Sequence, residues 1–221
     1  MKLYTYCVRW DNGAAPNPYW DICTLTICKP AIRKSASVGD WIVGLGSTNS
    51  PIGNISGHVV YAMQVTDIRS LWGYDIMCRA SYPGKIPDLD SNDFRRRVGD
   101  CIYDYSKNSP PLMRDGVHDE GNRDLDLSGE NALISSHFYY FGDTAVELPE
   151  NLKSLTHNQP GHKVRANQPY IEQFCEWIEN LGYEANRLNG NPQLMLEFDL
   201  DADIRSKCAG RDLDDDDDEI C

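Results

Sequence analysis

Trp41-Ile42-Val43-Gly44-Leu45-Gly46 and, beyond a loop, His58-Val59-Val60-Tyr61-Ala62-Met63-Gln64-Val65-Thr66 are the runs on which the fold turns. Both are short, apolar and rich in β-branched or aromatic residues, so they read as strands. Their near-continuous hydrophobicity predicts burial on both faces rather than one. The first is launched by Val38-Gly39-Asp40. There glycine permits a tight turn, the aspartate can bond its own downstream amides, and Trp41 can fill the core. The second follows Ser47 to Gly57, a loop of Ser, Asn, Gly and Pro without periodicity.

Working outward, Lys2 to Arg9 reads as a further strand, ending in the turn-rich stretch Trp10 to Pro18. Cys23 to Cys28 alternates with period two and is expected to be a strand closed by Pro30, which cannot donate to a ladder. Residues 31–36 read as a short helical or irregular piece and residues 67–80 as a helix weakened by Gly73. Ser81 to Arg123 is polar and turn-rich, with Cys101-Ile102-Tyr103 its one short strand. Leu133 to Phe141 and Leu194 to Phe198 read as strands. One helix is clear: from Pro169 to Leu181, Ile171, Phe174, Cys175, Ile178 and Leu181 share a stripe, with Gly182 as the C-terminal cap. The order predicts an α+β fold, a mostly antiparallel curled sheet or small barrel with a few flanking helices.

The chain has 221 residues and a formal charge of −13. From Asp199 to Cys221 there are ten acids and three bases, a net −7, which leaves −6 for residues 1–198. The expected organisation is one globular domain over 1–200 and an acidic, self-repelling tail over 201–221. An acidic body argues against coating nucleic acid by charge alone. Without a signal-like or membrane-spanning stretch, the expectation is a soluble cytoplasmic protein. Eight cysteines without C-x-x-C spacing predict free thiols, and no metal or cofactor is expected.

Within this acidic chain, Lys29 to Lys34 and His157 to Arg165 stand out as basic segments. Lys29, Arg33, His162 and Lys163 are therefore candidate anion contacts, and Arg95-Arg96-Arg97 reads as a solvated patch. Trp41, Tyr61 or Trp10 could wall a pocket for a planar ligand. No G-x-S-x-G, H-E-x-x-H, Walker loop or deaminase signature is present. A catalytic Cys–His pair stays open, because such pairing is spatial rather than sequential.

An ordered set of short motifs resembles the nucleotide modification associated domain family, second type. It comprises Ala15-Pro16-Asn17-Pro18, Cys28-Lys29-Pro30, Ile32-Arg33, Gly39-Asp40-Trp41, Gly44-x-Gly46-Ser47, Val60-Tyr61-Ala62-Met63-x-Val65-Thr66, Gly99-Asp100-x-Ile102-Tyr103, Tyr140-Phe141-Gly142, Leu148-Pro149 and Gly161-His162-Lys163. The resemblance spans about residues 1–200 and implies a bacterial or phage protein linked with modified nucleobases in DNA. It defines no reaction. The Gly-Asp-Trp turn also resembles the PUA, ASCH and EVE group of small barrels, whose members hold a base in an aromatic-walled pocket.

Three functions follow as expectations. The first is binding of a nucleotide or modified base, and through it nucleic acid. The second is an enzyme of nucleotide or base modification, with His162 or His137 as acid–base and Asp40 or Asp100 as partner carboxylate. The third is an interaction or inhibitor protein whose acidic tail engages a basic protein partner.

Overall fold

The two apolar runs lie side by side at the centre of one sheet. The computed structural model describes residues 1–107, 110–157 and 159–195. Its strands are Leu3–Val8 (β1), Cys23–Leu25 (β2), Trp41–Gly46 (β3), His58–Gln64 (β4), Asp67–Ser70 (β5), Tyr103–Asp104 (β6), Leu112–Met113 (β7), Asn131–Ser135 (β8), Phe138–Tyr140 (β9), Val146–Glu147 (β10), His162–Lys163 (β11) and Arg187–Leu188 (β12). The α-helices are Pro30–Ser35 (α1), Leu71–Ser81 (α2), Phe94–Arg97 (α3), Arg123–Ser128 (α4) and Ile171–Glu179 (α5).

The main sheet has the order β11-β1-β3-β4-β9-β12, with β10 joined to β4. A second has the order β2-β8-β5, and β6 pairs with β7. Apart from β1–β3 and β9–β12, the pairings are antiparallel. The fold is α+β with open sheets; none of them closes into a barrel.

Strand parity explains the unbroken hydrophobicity of β3. Trp41, Val43 and Leu45 face one core with Leu3, Val59 and the α5 residues Ile171, Phe174 and Ile178. Ile42 faces the other with Tyr4, Tyr6, Tyr61, Met63 and Ile32, and there the small sheet contributes Cys23, Leu25 and Leu133. The main sheet is thus sandwiched between α5 and the second sheet with α1. Burying each large apolar side chain stabilises this arrangement by roughly 1.5–3 kcal/mol. Gly44 is required where β3 passes beneath Tyr61, because a Cβ there would sit 2.4 Å from the ring.

Several expected elements are revised. The run 23–28 stays a strand only through Leu25, since Cys28 and Lys29 turn left-handed, with φ of 57° and 42°. Pro30 starts α1 instead of closing a strand. Residues 67–70 are β5, and the helix begins only at Leu71, where the Ser70 hydroxyl accepts the Gly73 N–H. The run 133–141 is split between two sheets. Helix α5 starts at Ile171, after a 3₁₀ segment over Arg165–Tyr170 that contains Pro169. Leu194 and Met195 lie in a turn, and 196–198, like the acidic tail 201–221, lie outside the described residues.

No helix among the described residues is long and apolar enough to cross a membrane. The six described cysteines (7, 23, 28, 78, 101 and 175) are free thiols.

Candidate functional site

A cleft of about 590 Å³, counting space continuous with solvent, opens beside the end of β1. Tyr6 to Trp10, Asn12, Ala14 and Ala15 form one side; Ile27, Cys28, Lys29, Val117 and His118 form the other. Three separate stretches therefore meet here, and their local chemistry explains how they are held.

The Cys28-Lys29 turn is pinned from both sides. Asp126 Oδ1 accepts the Cys28 N–H at 2.9 Å, and Arg33 Nε donates to the Cys28 carbonyl at 2.7 Å. Arg33 also donates through Nη1 to Asn131 O at 2.9 Å and through Nη2 to Asp126 O at 2.5 Å. Its side chain is fully buried, so this candidate anion contact is engaged with main-chain carbonyls and does not line the cleft. Gly129 makes room for it: a Cβ there would lie 2.4 Å from the guanidinium carbon.

With the turn fixed, Cys28 Sγ lies 3.4 Å from His118 Nε2, and His118 Nδ1 lies 2.7 Å from Asp126 Oδ2. The Tyr103 hydroxyl donates to the same Asp126 oxygen at 3.0 Å. A histidine whose Nδ1–H faces a carboxylate presents Nε2 as an acceptor, here toward the thiol. His118 and Asp126 are buried while Cys28 is half-exposed on the cleft wall. This is the nucleophile, base and orienting-carboxylate constellation of thiol catalysis.

Of the seven ligand candidates read from the sequence, Lys29 and Trp10 line this cleft and the other five do not. The Lys29 ammonium lies over the Tyr6 ring, 5.3 Å from its centroid. Tyr61 stands behind Tyr6, with the two hydroxyls hydrogen-bonded at 2.7 Å. Trp41 belongs to the opposite core, edge-on to His137 and Phe174. His162 is buried across from Tyr6 on β11 and packs on the Tyr4 ring at 5.5 Å. Lys163 donates to the Ser154 carbonyl. Burial lowers the His157 imidazole below its ordinary range, helped by the charges of Lys163 and Lys29.

The acid–base candidates fall elsewhere. His137 lies against Trp41 and Tyr139. Asp40 accepts the N–H groups of Lys2 at 2.7 Å and Ser37 at 2.9 Å, fixing the turn before β3. Asp100 accepts hydroxyls from Thr24, Thr26 and Tyr74 in a buried network. Among the described residues, no group of three or more His, Cys, Asp or Glu side chains is placed to hold a metal ion.

His118 and Asp126 carried no local signal. They lie in the polar middle of the chain, about 90 residues from Cys28, and only folding brings them together. Trp10, by contrast, was legible as a stacking candidate and does line the cleft.

A family model described as nucleotide modification associated domain 2 matches residues 1–199. The chain belongs to this family. Membership of the nucleotide modification associated domain 2 family covers the whole described fold, the Cys28 turn and His118 included. It links the chain to nucleotide modification. No curated protein and no solved structure matches the chain.

Proposed function

We propose that the cleft binds a nucleotide or a modified nucleobase, giving the domain its place in nucleotide modification. The observation that carries this reading is the Lys29 ammonium held over Tyr6 on the cleft wall, beside half-buried Trp10 and exposed Arg9. In a body of otherwise negative charge, these two cations supply a local contact for phosphate. Trp10 offers a face for the base, worth about 1–3 kcal/mol by stacking. Family membership supports the same class of ligand.

Titration calorimetry with the four deoxynucleoside monophosphates at low salt tests this reading. At least one should bind, and Trp10→Ala should weaken it about 5- to 100-fold, the equivalent of one stacked base. No binding at low salt, or binding indifferent to Trp10→Ala, would overturn it. The enzyme reading is favoured by a specific observation of its own, the Cys28–His118–Asp126 alignment, and concerns what happens to the ligand once bound.

A further inference from the structure

We propose that Cys28 is a catalytic nucleophile with His118 as its general base and Asp126 as the positioning carboxylate. The class of reaction is hydrolysis of an amide or ester carried by the nucleotide in the cleft. The proposal rests on the nucleotide-binding reading for its substrate, and on the geometry of three side chains for its chemistry.

The geometry meets each requirement in turn. The nucleophile–base distance of 3.4 Å is a hydrogen-bond distance for a large sulfur atom, and the base–carboxylate distance is 2.7 Å. Asp126 reaches both ends of the unit, since its other oxygen holds the Cys28 N–H. The base and carboxylate are shielded from solvent, whereas the sulfur faces the cleft. Cys28 also occupies a backbone conformation that non-glycine residues seldom adopt, and hydrogen bonds from Arg33 and to Asp126 hold it there. Strain of this kind is retained where the surrounding structure imposes it, and it recurs at functional sites. Among the other described cysteines, Cys23, Cys78 and Cys101 are buried, and burial pushes the Cys23 thiol up to about 12.

The step balances without a further cofactor. His118 Nε2 takes the thiol proton as the sulfur electron pair forms a bond to the carbonyl carbon, and the C=O π pair moves onto oxygen. Collapse of this tetrahedral species breaks the bond to nitrogen or oxygen, and the departing amine or alcohol takes the proton from His118. Water then attacks the Cys28 thioester, giving its proton to His118. Collapse expels the thiolate, releases the carboxylic acid, and His118 returns the proton to sulfur. A base that also delivers a proton is what a poor leaving group such as an amine or alkoxide requires, which favours acyl chemistry over displacement of a leaving group that needs no proton.

The full-length protein should be treated with p-nitrophenyl acetate and the acetylated cysteines located by mass spectrometry. Cys28 should acylate at least about 100-fold faster than two half-exposed cysteines of the same molecule, Cys7, which shares the cleft wall, and Cys175, which lies outside it. His118→Gln should slow acylation of Cys28 by about 10²- to 10⁴-fold. The comparison of cysteines within the wild-type protein keeps the test decisive even where that variant fails to fold. Cys28 reacting no faster than Cys7 and Cys175 would overturn the proposal. Saturating deoxynucleoside monophosphate should protect Cys28 from the reagent, joining the thiol to the nucleotide site. Selective acylation in a protein that binds no nucleotide removes the ligand reading and the nucleotide-borne substrate but leaves the thiol chemistry standing. Nucleotide binding with an inert Cys28 does the reverse.

Discussion

Asp11, one residue beyond Trp10, shows how the cleft's outer loop is tied to the sheet. Its carboxylate is buried and accepts the Tyr140 hydroxyl at 2.7 Å on each oxygen, with the Gly13 N–H at 3.2 Å. Burial outweighs these bonds and raises its pKa from 3.8 to about 6. The sign follows from proton counting. Between about pH 4 and 6 the folded protein keeps a proton that the unfolded chain has released, so rising pH removes stability across that window. The loss is on the order of 3 kcal/mol and is complete above pH 6. Asp11→Asn keeps an acceptor for Tyr140 without the charge. Thermal melts should therefore show a wild-type Tm that declines relative to the variant from pH 4 to 6. Parallel curves would refute this account.

At the scale of elements, one serine decides that 133–141 is not a single strand. Buried Ser135 donates its hydroxyl to the His137 carbonyl at 2.7 Å and accepts the His137 N–H at 3.0 Å. Such a local loop competes with the ladder and turns the chain, so β8 joins the small sheet and β9 the large one. Ser135→Ala strands the His137 N–H, while the His137 carbonyl keeps the Gln64 N–H at 3.0 Å, and should lower unfolding free energy by about 1–3 kcal/mol. An unchanged urea midpoint would show that the turn forms without the hydroxyl. The same competition operates at Cys28 and Lys29, where side chains from α1 and α4 outbid continuation of β2. Alternation over 23–28 was legible in the sequence; of the bonds that interrupt it, one comes from Arg33 nearby and the other from Asp126, 98 positions away.

For the whole molecule, the buried ammonium of Lys85 is the joint. It donates to Asn17 O at 2.8 Å, Asn17 Oδ1 at 2.7 Å, Ile22 O at 3.1 Å and Thr24 Oγ1 at 2.9 Å. Thr24 in turn donates to Asp100 at 2.5 Å. The turn after α2, the loop beneath the cleft and β2 are thereby fastened to the segment before β6. Burial pushes the Lys85 ammonium below its ordinary range, while Asp100 pulls it back up. Removing one member of so buried a network leaves the others unsatisfied, so Lys85→Met should cost about 3–5 kcal/mol. A urea midpoint near the wild-type value would mean that the network is dispensable. The polar middle of the chain, featureless by periodicity, is therefore what supports the cleft and supplies His118 and Asp126.

By itself the sequence determined the α+β class, the central strands, the α5 stripe and the family, because hydrophobic period and ordered local motifs are properties of neighbouring residues. Tertiary structure alone decided where the candidate side chains point. Parity turned Trp41 toward α5, close-packed carbonyls enclosed Arg33, and Lys29 was left on the cleft wall. It also decided that Cys28, His118 and Asp126 would meet. A catalytic constellation is set by distances of about 3 Å between side chains, and chain separation carries no information about those distances until the backbone is folded.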